Sequence, residues 1–236
     1  MSNFYRLRRL FSTMWYLRPI QVYYRLYYFL LRKWRRIFPF RAGVMPTPRS
    51  SPKWKNHLFN SNSYKKPGTF FFLNSEYRFP DEIDWDYEQL GKLWAYNLNY
   101  FEYLNQSDLQ PEEGIELIKS YVDTATHKIG DEPYPISLRG INWIKFMVAQ
   151  EIEEPLIKKR LYRDYQLLSH SLEYHLLGNH LLENGFSLVF AWIYFGENKF
   201  EKLATRIGKT KRKEQIFKDG GHFECSTICL LYTFPR

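Results

Sequence analysis

The chain has 236 residues, 44% of them hydrophobic and 25% charged. That is enough apolar material for a packed core, and it excludes a wholly disordered, collagen-like or low-complexity protein. Two cysteines, at 225 and 229, are too few for a disulfide scaffold or a four-ligand zinc site.

The net charge of +9 is unevenly placed. Residues 1–75 hold 15 of the 34 Lys and Arg and no Asp or Glu, so the rest of the chain sets 19 basic against 25 acidic residues, a net of −6. A basic segment of this kind attracts polyanions: nucleic acid, anionic lipid or acidic polysaccharide. The 19 Phe, 19 Tyr and 7 Trp add rings that either fill a core or line a groove for sugars or partners.

The first element expected is an aromatic, arginine-studded helix over 14–38, carrying Trp15, Ile20, Tyr23, Tyr24, Tyr27, Tyr28, Leu31 and Trp34 among six basic residues. It suits either of two settings. It can lie on an anionic membrane surface, with residues 1–36 as the contact, or pack its rings on the body with solvated arginines outside. Arg18, Pro19 and Arg25 interrupt the apolar runs, so no secretory signal of the usual length and no membrane span is read here. The compartment stays open between cytoplasm and periplasm.

Residues 39–69, with Pro39, Pro46, Pro48, Pro52 and Pro67, read as a linker or surface arm, and 69–73 as a short strand. Helices follow. One runs over 88–105 through Leu90, Leu93, Trp94, Leu98, Phe101 and Leu104. Pro111 opens another over 111–127. Ser137 caps 138–152, Pro155 opens 155–176, and 180–195 and 197–217 complete the set. Helices of similar length on short connections form antiparallel hairpins. The nearly all-apolar 180–195 is expected to be wrapped by the others. The domain plan is a basic aromatic helix and Pro-rich arm over 1–75, a helical body over 76–224, and a tail over 225–236.

Four segments differ from generic helical filler: Trp94–Leu104 (WAYNLNYFEYL), Glu132–Trp143 (EPYPISLRGINW), His175–Gly185 (HLLGNHLLENG) and Glu214–Glu224 (EQIFKDGGHFE). Each sets amides, His, Tyr, Arg or Trp among apolar residues, where polar groups need partners. In this order they resemble the N-terminal helical domain of the heparinase II/III-like polysaccharide lyases, which is similar to the alginate lyase helical domain. The upstream LRPIQVYYRLYY resembles the leader of bacterial members. The resemblance implies a mainly α fold, here an incomplete (α/α) toroid of helical hairpins, normally followed by a β-sandwich. It also implies β-elimination on uronic-acid-containing polysaccharide, with an acidic polysaccharide as partner and Asn, His and Tyr in the site.

The chemistry accounts for those residue types. Elimination removes the proton at C5 of the sugar, beside the uronate carboxylate. Hydrogen-bond donors on that carboxylate stabilise the charge that develops on it. By resemblance Asn179 is the neutralising amide and His180 stands beside it. Without the resemblance, Asn179 reads as a helix cap and His180 as an interior histidine. Arg139 fits a forked grip on a carboxylate or sulfate, or equally an internal ion pair. Tyr96, Asn97, Asn99, Trp94 and Trp143 suit a sugar groove, with core packing the alternative for at least half of them. His222 follows Gly220-Gly221 on a turn and is placed in the groove. Glu183 and His175 are expected to steady neighbouring helices, and the pairs Glu112-Glu113 and Glu153-Glu154 to be solvated or helix-end charges. No phosphate-cradling glycine loop, metal-ligand cluster, nucleotide fingerprint or nucleic-acid recognition motif is present in the sequence, so no cofactor, metal or nucleic-acid partner is expected.

The pattern breaks after Glu224. The family continues with a segment resembling RSPMYH. Here Cys229 stands at its Tyr position and Leu230 at its His position, and Tyr232 lies three places late. The expectation is a truncated lyase domain without its β-sandwich, inactive alone. A non-catalytic module for acidic polysaccharide and a membrane-surface helical protein are the alternatives.

Overall fold

A computed structural model describes residues 17–38, 40–46, 62–65, 68–124, 128–176 and 179–215. Among them seven α-helices dominate: α1 (Pro19–Ile37), α2 (Lys92–Tyr100), α3 (Pro111–Asp123), α4 (Pro133–Ala149), α5 (Pro155–Ser169), α6 (Asn179–Phe195) and α7 (Asn198–Gln215). The expected mainly α class therefore holds. One small antiparallel sheet precedes α2, with β1 (Tyr64–Lys65), β2 (Thr69–Phe72) and β3 (Ser75–Arg78) in that order.

The sheet is a lid on the helices. In β2, Phe70 and Phe72 share one face and are buried, while Phe71 points out. Their rings meet Tyr103 and Trp94. The β2–β3 turn is two residues, Leu73-Asn74, both at positive φ (53° and 60°). That pairing of signs gives the turn a twist that matches the strands. The domain boundary expected at 75/76 falls inside β3, and the hairpin packs into the same core as the helices.

Four helices open on proline, at 19, 111, 133 and 155, where a fixed φ costs nothing and the missing N–H has no helical acceptor. This corrects the start of α4: Pro133 begins it with Glu132 as the flanking residue. Ser137 is inside the helix, its hydroxyl donating to the Pro133 carbonyl at 3.0 Å. The helix expected over 88–105 is also shorter. It stops at Tyr100 because Phe101 turns left-handed (φ 58°), and a 3-10 turn follows at Glu102–Asn105. Phe101 is fully buried, stacked on Trp85 at 5.0 Å. The chain takes an uncommon backbone conformation there while the ring sits in the core. Helix α5 ends at Ser169, seven residues earlier than expected, and an irregular loop carries the chain on through Glu173 to Leu176.

Helix α4 is the centre. It packs on α2, α5, α6 and the 3-10 turn, and nearly every residue from Tyr134 to Met147 is buried. It is the helix wrapped on all sides. The role expected for 180–195 is only partly met, because Phe186 and Ile193 of α6 remain exposed. Helices two apart in sequence lie together: α2 with α4, α4 with α6, and α3 with α5. Close approach of α4 to α5 is set by Gly140, where an added Cβ would lie 2.5 Å from the Tyr165 hydroxyl oxygen and 2.6 Å from Cζ.

Candidate functional site

The three helices α2, α4 and α6 bring a row of rings to one edge. Tyr96 and Tyr100 lie on α2, Tyr134 on the first turn of α4 and His180 on the first turn of α6. Ring centroids are 6.0 Å apart for Tyr96–Tyr100, 5.8 Å for Tyr100–Tyr134 and 4.2 Å for Tyr134–His180. Tyr100, Tyr134 and Leu138 form a small apolar cluster separate from the main core, with Tyr96 packed on it. The row therefore grades from buried rings to an imidazole whose side chain is 36% exposed.

Beneath His180 is a polar network. Its Nδ1 lies 3.3 Å from Glu173 Oε1. The Asn184 amide donates to Glu173 Oε2 (3.2 Å) and to Ser137 Oγ (2.9 Å), and its carbonyl accepts from the Glu173 backbone N–H (3.0 Å). Asn184 and Ser137 are fully buried. The Glu173 carboxylate, held from below, faces the ring with one oxygen, so Nδ1 carries the proton toward it. The site's outer edge is set by Glu132, which accepts from the Tyr96 hydroxyl and pairs with Lys92 (2.8 Å).

Asn179 is half-buried at the head of α6, and its side chain makes no hydrogen bond to a described residue. The first N–H groups of a helix have no intrahelical acceptor, and together with the dipole they favour an anion. A half-open amide beside them adds a donor suited to a carboxylate, while His180, with its proton on Nδ1, presents Nε2 as an acceptor.

One turn on, Glu183 is buried. Burial pushes its carboxyl up, Lys145 opposes the shift, Glu102 adds to it and His180 opposes it, and the outcome is about 7. Lys145 in turn is lowered by burial against the pull of Glu102 and Glu183, and Glu102 is raised by burial against Lys145. Burial is thus the main reason that the Glu183 carboxyl is raised well above the ordinary carboxylate range.

The other expected site residues part into groups. Asn179, His180 and Tyr96 come together at this edge. Asn97 is half-buried and spends its amide on the Leu93 carbonyl of its own helix (2.7 Å). Asn99 is fully buried and donates to the Trp85 and Ala95 carbonyls (2.8 and 2.9 Å), so it ties α2 to the preceding loop and does not line a groove. Trp143 is fully buried, edge-on to Phe101 (5.4 Å), and is core. Trp94 is core as well, donating to the Ser75 carbonyl.

Arg139 is corrected most sharply. It is 1% exposed, lies over the Tyr121 ring at 4.7 Å, and gives Nε and Nη2 to Asp164 Oδ2 (3.3 and 2.7 Å). Its guanidinium is enclosed and neutralised, so no substrate anion reaches it. His222, Cys229 and Tyr232 lie outside the described residues.

Tyr134, Glu173 and Asn184 were not singled out in the sequence, and Ser137 was read only as a helix cap. Tyr134 was within a quoted segment, between two prolines that fix it at a helix start. Glu173 had no local signal, because it reaches the site from a loop. Among the described residues no group of three or more His, Cys, Asp or Glu is arranged to hold a metal. Comparison with protein-family models, curated proteins and solved structures found no match.

Proposed function

We propose that the chain is the helical part of a polysaccharide lyase of the heparinase II/III-like type, binding a uronic-acid-containing polysaccharide at the head of α6. The observation that carries this reading is the half-exposed Asn179-His180 pair, with His180 braced by Glu173 and flanked by Tyr134. The order of the four sequence segments supports it. The helix packing supports it too: α2 contacts α4, α4 contacts α6 and α3 contacts α5. An (α/α) toroid built of hairpins requires that alternation; in this reading α2, α4 and α6 form its inner row, with the site residues at one end.

In this reading the Asn179 amide and the first backbone N–H groups of α6 hold the uronate carboxylate and lower the cost of removing the C5 proton. Glu173 orients the ring through Nδ1, leaving Nε2 for the sugar. The row of Tyr96, Tyr100 and Tyr134 offers ring faces and phenol edges to neighbouring sugar units. The family's acid or base phenol is replaced by Cys229, and a thiol does not supply a phenol's geometry. Binding without elimination is the activity we assign to this chain alone.

Isothermal titration of the chain with size-defined oligouronates tests it. Saturable binding is expected, weakened about tenfold or more in Asn179→Ala and in His180→Ala, which corresponds to about 1.4 kcal/mol. Thermal stability should hardly change in either, since both side chains are partly solvated. Absence of binding, or binding indifferent to both substitutions, overturns the reading. A rise in unsaturated-uronate absorbance overturns the assigned inactivity.

A further inference from the structure

Helix α1 has two faces with different fates. One is docked on the body. The Tyr28 hydroxyl donates to the Leu172 carbonyl, Tyr24 stacks on Tyr174 at 4.7 Å, Tyr28 meets His175 at 5.2 Å, and Gln21 donates to the His175 carbonyl. These contacts fix the rotation of the helix about its axis.

The other face is thereby turned outward, and it is apolar. Ile20, Tyr23, Tyr27, Leu30, Trp34 and Ile37 follow one another at alternating spacings of three and four, so they form a single stripe. All six are exposed; Trp34 is 60% and Ile37 72% accessible. Scattered exposed apolar residues are ordinary, but six in a continuous stripe with Leu26 beside them mark an interaction surface.

Charge selects the occupant. The helix contains Arg25, Arg32, Lys33, Arg35 and Arg36, Arg18 precedes it, and neither Asp nor Glu occurs before Glu76. Arg25 and Lys33 are exposed. A second copy laid along the same stripe would set two such cationic helices side by side, with no acidic residue on either to offset the repulsion. A polysaccharide would satisfy the cations and leave the stripe in water. An anionic lipid surface satisfies both features: apolar and aromatic side chains enter the headgroup–acyl boundary, Tyr and Trp keep their polar edges in the wet layer, and Lys and Arg meet the lipid phosphates.

We infer that α1 is a docking helix that lays the protein on an anionic membrane surface. It lies on the bilayer and does not cross it, since no described helix is long and apolar enough to span one. The body, net acidic, is held away from the lipid. The loop that seats α1, Leu172 to His175, also carries Glu173 to the site, so lipid contact and the Asn179-His180 edge are joined through four residues.

Co-sedimentation of the full chain with vesicles tests this. Vesicles of phosphatidylcholine containing phosphatidylserine should bind the chain, and pure phosphatidylcholine should bind it at least about tenfold less. Raised salt should weaken binding. The double variant Leu30→Glu/Trp34→Glu should lose about tenfold or more in partitioning with an unchanged circular dichroism spectrum, because both side chains are exposed in the folded protein. Trp34→Phe should still bind, but with less quenching of tryptophan emission by brominated lipid than the unaltered chain. Equal binding to both vesicle types overturns the proposal, as does binding untouched by the double variant. No binding to either vesicle overturns it as well, and a double variant whose one effect is to dissolve a dimer assigns the stripe to a second copy instead.

Discussion

Arg139 and Asp164 face one another with Nη2 2.7 Å from Oδ2, both side chains almost wholly enclosed. The other carboxylate oxygen, Oδ1, takes Arg160 Nε at 2.9 Å and Arg163 Nη1 at 3.0 Å, and Asp131 returns to both of those arginines. One carboxylate is thus the hub for three guanidiniums where α4 meets α5. Burial alone would raise the Asp164 carboxyl, but Arg160, Arg139 and Arg163 outweigh it and hold it down at about 2. Three guanidiniums share two carboxylates, Asp164 and Asp131, and these pairs fix how the two helices meet.

Removing the hub strands the arginines. Asp164→Ala is expected to cost about 3–5 kcal/mol, because an unpaired buried guanidinium remains. Asp164→Asn should cost less, as the amide oxygen still accepts. The sign of the pH effect follows from the depressed carboxyl. Its contribution is complete above the ordinary carboxylate value of 3.8 and is lost as pH falls toward 2. Denaturant titrations of both variants from neutral to acid pH measure this. A destabilisation below about 1 kcal/mol in Asp164→Ala would show the pairing to be weak.

Glu183 gives the opposite sign. Its carboxyl is raised from 4.5 to about 7, so the folded protein binds the proton more tightly than the unfolded chain does. Stability is therefore highest below about pH 4.5, falls between 4.5 and 7, and levels off above. A shift of that size corresponds to roughly 3 kcal/mol at most. Glu183→Gln should flatten this slope and raise the melting temperature at pH 8 relative to the unaltered chain. An unchanged slope in the variant would place the titration elsewhere, with Glu102 and Lys145 the groups to examine next.

Core substitutions separate packing from binding. Gly140→Ala drives a methyl into Tyr165, a rigid ring with buried surroundings, and is expected to cost about 1–3 kcal/mol. Trp143→Ala leaves a cavity among Phe101, Tyr121 and Arg139 and is expected to cost about 3–5 kcal/mol. Trp143→Phe, which keeps most of the volume, should leave oligouronate affinity unaltered. A selective loss of affinity in that variant, without loss of stability, would return Trp143 to the sugar groove.

What was readable in the sequence was mostly local. Proline at a first helical position marked α3 and α5 correctly, and a run of β-branched and aromatic residues marked β2. Ser137 was read as the cap of the next helix, and Pro133, a turn earlier, is the residue that begins it. The proline won because its ring fixes the backbone, while the serine hydroxyl found the Pro133 carbonyl inside the helix. The break at Phe101 had no local sign, since a bulky residue takes a left-handed backbone only when the core holds its ring. Arg139 was ambiguous for a related reason. Its partner lies 25 positions away on another helix, and pattern within one element cannot show whether a cation meets protein or solvent. The same gap hid Glu173, which reaches His180 from a loop that was expected to be helix.

Asn184 links these two kinds of information. It stands one helical turn beyond His180, is fully buried, and connects Glu173 to Ser137. Asn184→Ala would leave the Glu173 backbone N–H and one carboxylate oxygen without the partner they have now, at a cost of about 1–3 kcal/mol. It should also let the Glu173 side chain move, and with it the ring of His180. Oligouronate affinity is therefore expected to fall by more than in Gly140→Ala, a variant of comparable instability whose disturbance lies at the α4–α5 contact. Titration calorimetry on the two, at a temperature where both remain folded, makes the comparison. Equal affinities would mean that the network beneath His180 serves the fold only, and that the imidazole finds its place without it.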